Sequence, residues 1–211
     1  MEKKGMEKEK LYLYWLSRID GIGAVKSKKL LEYTGSFEAI YNMKKQDLEQ
    51  LPFLRGDDAE RIDNEKLCLK QRQIEYGELA GKKIRFIMAG EPEYPHRLEN
   101  IYDMPMWLFV KGRLPDEYRP TVAVVGARSC TSYGRQVAEY LCRVLAENGV
   151  QTISGLARGI DGAAHRGTVN TQGASYAVLG SGVDYCYPRE NLSLYNAILE
   201  TGGVISEYGP G

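Results

Sequence analysis

Very little in this sequence suits a metal, a disulfide or a membrane. Its four cysteines, Cys68, Cys130, Cys142 and Cys186, are scattered with no C-x-x-C pair, so neither zinc-ligand spacing nor a disulfide framework is present. With His96 and His165 as its two histidines, the chain has no metal-site motif, and no metal or other cofactor is expected. No apolar run approaches the ~18 residues of a membrane span, and no apolar signal core follows the charged start. The expected setting is therefore the soluble, reducing cytoplasm, with no membrane partner. A net charge of zero gives no general affinity for polyanions, so any such binding must come from local clustering of cations. What the chain does have is length: 211 residues bury a proper core and suffice for one large or two small domains.

Lysine also runs out. The last is Lys111, and beyond it the cations are Arg113, Arg119, Arg128, Arg135, Arg143, Arg158, Arg166 and Arg189. The change coincides with "KGRLPDEYRPT" (111–121), where two prolines and several charges read as a linker. The expected organisation is a frayed or disordered terminus over 1–9, a helical domain over 10–80, a connecting segment with short strands over 81–120, and an α/β domain over 121–211. In the helical part, apolar stripes at Leu13, Leu16, Ile19 and then Val25, Leu30, Leu31 flank Gly21-Ile22-Gly23. That is the pattern of a helix-hairpin-helix or SAM-like unit. The free N–H groups at Gly21 and Gly23, with Lys26 close behind, are candidates for a secondary DNA-phosphate contact. A plain helical hairpin with a solvated lysine face explains the same residues. Further helices are expected over 36–49 and 58–79, with strands over 82–88 and 106–112.

From residue 121 strands and helices alternate: strand 121–125, helix 133–148, strand "VQTIS", helix 160–171, strand "ASYAVLG", helix 190–201, strand "GVISE". The order demands a parallel sheet with right-handed crossovers. Ligands bind such sheets beyond the carboxyl ends of the strands. The three turns gathered there, "GARSCTSYG", "SGLARGID" and "GSGVDYCYPREN", each carry glycine at or near the start and one arginine: Arg128, Arg158 and Arg189. Glycine admits an anion to backbone N–H groups, and the guanidinium fork matches phosphate oxygens. Pairing with Asp161 or Asp184 is the competing explanation for any one arginine. Tyr133, Tyr185 and Tyr187 lie in or beside the turns, where bases of an unpaired strand could stack, or they are packing residues. The spacing fits neither the dinucleotide fingerprint nor the P-loop. Serine hydrolysis would need Ser129, Ser154 or Ser181 beside one of the two histidines. Asp161 and His165, four apart, suit a helix-start cap and a packing residue better than a catalytic pair.

Taken together, "VVGARSCTSYG", "SGLARGIDGAAHRGT", "GSGVDYCYPREN" and "SEYGPG" resemble the DNA-processing protein A (DprA/Smf) family, as does "YPHRLENIYDMPMWLFVKG" upstream. The resemblance implies a Rossmann-like α/β domain, a parallel sheet with helices on both faces, preceded by the small helical domain. It further implies binding of single-stranded DNA and assistance in loading the RecA recombinase during natural transformation, with no enzymatic chemistry and no catalytic residue. Carried over by position, Arg128 and Arg189 correspond to the basic residues of the DNA pocket. Gly126, Ser129, Ser154, Gly155, Gly180 and Gly182 shape it, and Arg158 joins them from the physical reading, with Tyr133 and Tyr187 as candidates for stacking. Arg189 stands where lysine is frequent in the family. Family members continue the sheet past "SEYGPG", so the native frame is expected to run on beyond Gly211 and the longer protein to form a homodimer. The rival from another class is a nucleotide hydrolase of the lysine-decarboxylase-like, phosphoribohydrolase type, whose glycine-rich motif with catalytic Arg and Glu is not seen here.

Overall fold

Apolar spacing makes the helices of the first half, and single side chains decide where they stop. The computed structural model describes residues 2–211, with side chains from Gly5 onward. Two units are distinguished. The first comprises the chain up to Lys82 with Phe86–Tyr94 and Leu98–Trp107; the second comprises Lys83–Arg85, Pro95–Arg97 and Leu108–Gly211.

The first unit contains α1 (Glu2–Ser17), α2 (Ala24–Thr34), α3 (Phe37–Asn42), α4 (Lys45–Glu49), α5 (Asp58–Glu65) and α6 (Leu69–Glu78). Residues 2–9, expected to fray, form the opening turns of α1; Met1 lies outside the described residues. Glutamate and lysine favour helix, and the Glu9 carboxylate accepts the Phe37 N–H at 2.7 Å. Helix α2 ends on Gly35, whose left-handed φ of 81° lets its N–H reach the Leu31 carbonyl. Ser36 then caps α3 by accepting the Ala39 N–H at 3.1 Å.

Two expected helices are each divided. The 36–49 segment breaks at Met43, which is extended at φ −61°, ψ 141°. The 58–79 segment breaks at a 3-10 turn, Lys66–Cys68, because the Trp15 indole N–H takes the Glu65 carbonyl at 2.9 Å. Wholly buried Leu13, Trp15, Leu16, Leu30, Ile40, Leu48 and Ile62 form the core of this unit. Each contributes about 1.5–3 kcal/mol relative to exposure.

The six-stranded sheet runs in the order β1-β2-β6-β5-β4-β3, with β1 (Ile84–Met88), β2 (Trp107–Gly112), β3 (Thr121–Ala123), β4 (Gln151–Ser154), β5 (Ser175–Val178) and β6 (Gly203–Ser206). Strands β3 to β6 are parallel, joined by α7 (Ser132–Glu147), α8 (Ile160–Val169) and α9 (Leu192–Thr201). Strand β2 lies antiparallel to β6, Phe109 opposite Ser206. The result is a Rossmann-like sheet flanked by helices. Helix α8 packs against both α7 and α9. Gly167 permits the first of these contacts, since a Cβ there would collide with the Glu139 carbonyl.

Beneath α8 lies a polar seam. Thr168 Oγ1 donates to Thr152 Oγ1 at 2.9 Å. His165 Nδ1 lies 2.7 Å from Ser175 Oγ. The segment read as a linker is fastened to this unit: the Gln151 side chain accepts the Asp116 N–H and donates to its carbonyl, both at 2.9 Å.

Candidate nucleic-acid interface

Three turns leave the carboxyl ends of β3, β4 and β5, and backbone hydrogen bonds hold them together. In the first, Val124 donates its N–H to Ile153 O at 2.9 Å and accepts Ser154 Oγ–H at 2.6 Å. Thr131 then caps α7, accepting the Gly134 N–H at 3.0 Å. The second turn presses against the first. Gly159, at φ 79°, sits where any Cβ would strike the carbonyl oxygens of Ala127 and Arg128, so no other residue fits. The Ile160 N–H donates to Ala127 O at 3.3 Å. Asn191 ties the third turn to the second, donating to Leu156 O at 3.0 Å and Ala157 O at 3.3 Å. The third turn is further fixed by Tyr195, whose hydroxyl donates to Val183 O at 2.5 Å. Burial, with the nearby Asp184 charge, pushes the Tyr195 pKa up to about 12, keeping it a donor.

Between the turns lies a cavity of about 410 Å³, lined among others by Arg128, Ser129, Gly155, Arg158, Gly180, Ser181, Tyr185 and Tyr187. Nothing approaches a hypothetical Gly180 Cβ within 4 Å, so that glycine opens the cavity rather than packing a neighbour. Arg128 is exposed and, among the described residues, has no ion-pair partner. Arg158 is held by Glu190, Nε to Oε1 3.1 Å. Neither arginine pairs with Asp161 or Asp184. Asp161 accepts the Gly155 N–H at 3.2 Å instead. An open cleft with two guanidinium groups, small hydroxyls and two tyrosine rings can hold a phosphate and stack a base.

Of the residues singled out from sequence at this sheet edge, Arg128, Ser129, Gly155, Arg158, Gly180, Tyr185 and Tyr187 line this cavity, and Gly126, Ser154, Gly182, Arg189 and Tyr133 do not. Ser154 is buried and bonded to Val124. Gly126 gives room to Ile160, whose Cγ1 would lie 2.6 Å from an added Cβ. Gly182 gives room to the Gly209 carbonyl in "SEYGPG", likewise at 2.6 Å. Arg189 is exposed on the 3-10 turn Arg189–Asn191, and Tyr133, 77% exposed, stands on the first turn of α7. Sequence reasoning passed over Glu190 and Asn191. The signal was there for Asn191, a polar residue set directly before an apolar helix, yet 7% exposed in the fold.

The N-terminal hairpin has a different character. Lys26 Nζ donates to Gly21 O at 2.8 Å and pairs with the buried Asp58 carboxylate at 2.7 Å. Burial raises the Asp58 pKa, but hydrogen bonds from Lys26 and the Arg55 N–H outweigh it and the net shift is downward. The lysine is a strut for the glycine turn. His165 is not paired with Asp161; burial, chiefly, pushes its pKa down to about 3. Among the described residues no cluster of three or more His, Cys, Asp or Glu side chains is placed to hold a metal ion, and no helix is long and apolar enough to cross a membrane.

Fold and site together define a Rossmann-like domain with an arginine-lined cleft at the carboxyl edge of its sheet. Residues 85–211 match the family model of DNA recombination-mediator protein A. The chain belongs to that family, DprA/Smf. It is 45% identical over 118 residues to DNA processing protein DprA of Streptococcus pneumoniae, covering 56% of this chain and 42% of that protein. The X-ray structure of DprA from the same organism aligns with a TM-score of 0.74 at 30% identity, over 95% of this chain and 68% of that one. DNA processing protein A from Helicobacter pylori, whose structure addresses its single-stranded DNA binding mode, aligns with a TM-score of 0.51 at 26% identity, over 60% of this chain and 57% of that one. The stretch matched in sequence thus covers less than half the length of the S. pneumoniae protein.

Proposed function

We propose that this chain binds single-stranded DNA, with the backbone phosphates at Arg128 and Arg158 and bases against Tyr185 or Tyr187. Within the longer protein it would assist RecA loading in DNA uptake and recombination, as a cytoplasmic binding protein and not an enzyme. One observation carries the reading: an exposed Arg128, without an ion-pair partner among the described residues, lines the same cleft as Arg158 where three interlocked strand-end turns meet. The family membership and the single-stranded DNA binding described for the Helicobacter pylori relative support it. Fluorescence anisotropy with labelled oligothymidine, duplex DNA and mononucleotides, across salt concentrations, tests it. Single-strand preference is expected, with a log–log salt slope of about 0.7 per phosphate neutralised. Saturable mononucleotide binding with turnover would replace it with the hydrolase reading.

A further inference from the structure

One of the arginines lining the cleft is paired with an acid. Glu190 lies 3.1 Å from Arg158 Nε, and both side chains are more than half exposed, at 57% and 59%. The carboxylate is not on a loose surface loop. It occupies the 3-10 turn Arg189–Asn191, and its neighbour Asn191 is anchored to the carbonyls of Leu156 and Ala157, in the turn that bears Arg158. The same hydrogen bonds that build the cleft thus set Glu190 against one of its two cations. The pairing engages Nε alone; among the described residues neither terminal Nη of Arg158 has a hydrogen-bond partner. An incoming phosphate can engage those groups before the carboxylate lets go.

We propose that Glu190 is a built-in competitor for the phosphate at Arg158, setting the affinity of the cleft for single-stranded DNA below what its two arginines would give. This rests on the single-stranded DNA reading above. An exposed pair is weak and screened by salt, so Glu190 tunes the cleft without blocking it, and most strongly at low ionic strength.

A mutant cycle tests this: wild type, Glu190→Gln, Arg158→Ala and the double variant, titrated with labelled oligothymidine at low and high salt. Glu190→Gln should bind about two- to fivefold tighter at low salt and converge with wild type at high salt. Its salt slope should steepen toward the share of one further phosphate, about 0.7. In the Arg158→Ala background the same change should do nothing. Equal gains in both backgrounds would mean that Glu190 acts only through the general field, and no gain in either would mean that it does not compete; each overturns the proposal. A wild type that binds no single-stranded DNA refutes the reading beneath it instead. Unchanged melting temperatures confirm that the comparison is between folded proteins.

Discussion

Replacing Arg128 with alanine isolates the contribution of one cation. Its side chain is exposed and without an ion-pair partner among the described residues, so removing it leaves no orphaned charge or buried group. Stability should hold within about 0.5 kcal/mol, as for surface substitutions generally. Binding should suffer, because a guanidinium–phosphate contact is charge-assisted. Such contacts contribute about 1.5–3 kcal/mol when sheltered, and an open cleft mouth belongs at or just below the lower end. We expect a loss of about 1–2 kcal/mol, a five- to thirtyfold rise in Kd. The salt slope should fall by about 0.7. Anisotropy titrations on oligothymidine at four or more salt concentrations measure both quantities, and a urea melt of the same protein checks the fold. Arg128→Lys should keep the slope while losing part of the affinity, since a point charge replaces a planar fork. A folded Arg128→Ala protein with wild-type affinity and slope would refute the placement of the phosphate.

Three further outcomes follow from particular contacts. Asn191→Ala strips the Leu156 and Ala157 carbonyls of their side-chain donor; urea denaturation should show a loss of about 1–3 kcal/mol, with weaker DNA binding as the second and third turns part. Lys26→Met leaves the Asp58 carboxylate buried without its cation; it should destabilise the chain by about 1–2 kcal/mol, scaled down because the lysine is partly exposed, while the DNA salt slope stays the same if this lysine is a strut and not a contact. His165, with its pKa pushed down to about 3 in the fold, stays neutral where the unfolded chain takes up a proton below about 6.5. The unfolded state then binds more protons, so stability should fall with pH between about 6.5 and 3, approaching 1.4 kcal/mol per pH unit. Urea melts from pH 7 to pH 4 should show this slope in the wild type and its reduction in His165→Gln.

The alternation of β-branched runs, glycine turns and amphipathic helices beyond residue 121 was enough to read the parallel sheet and the edge where its turns gather. That reading depends on period and punctuation, which are local. The breaks in the first unit are not local. Trp15 takes the Glu65 carbonyl from a distance of fifty positions in the chain, and no window around residue 65 contains that indole. The same limit applies at the cleft. Gly126, Gly180 and Gly182 look alike in sequence, but only Gly180 opens onto the cavity, while the other two make room for Ile160 and the Gly209 carbonyl. Arg158 and Arg189 likewise both sit in strand-end turns, yet Arg158 lines the cavity and Arg189 does not, a difference that no local pattern around either residue announces.

The antiparallel pairing of β2 with β6 gives the chain an order of assembly in the cell. Strand β2 ends at Gly112, and its partner does not begin until Gly203. Roughly ninety residues must be translated between them, which takes about 5–18 s at ordinary elongation rates. During that interval Leu108, Phe109 and Val110, all buried in the finished fold, have no β6 to pair with. The nascent chain therefore carries an apolar strand waiting for a late partner. Slowing synthesis within 113–202 should lengthen its exposure to chaperones and to other nascent chains, whereas slowing it before residue 107 should not.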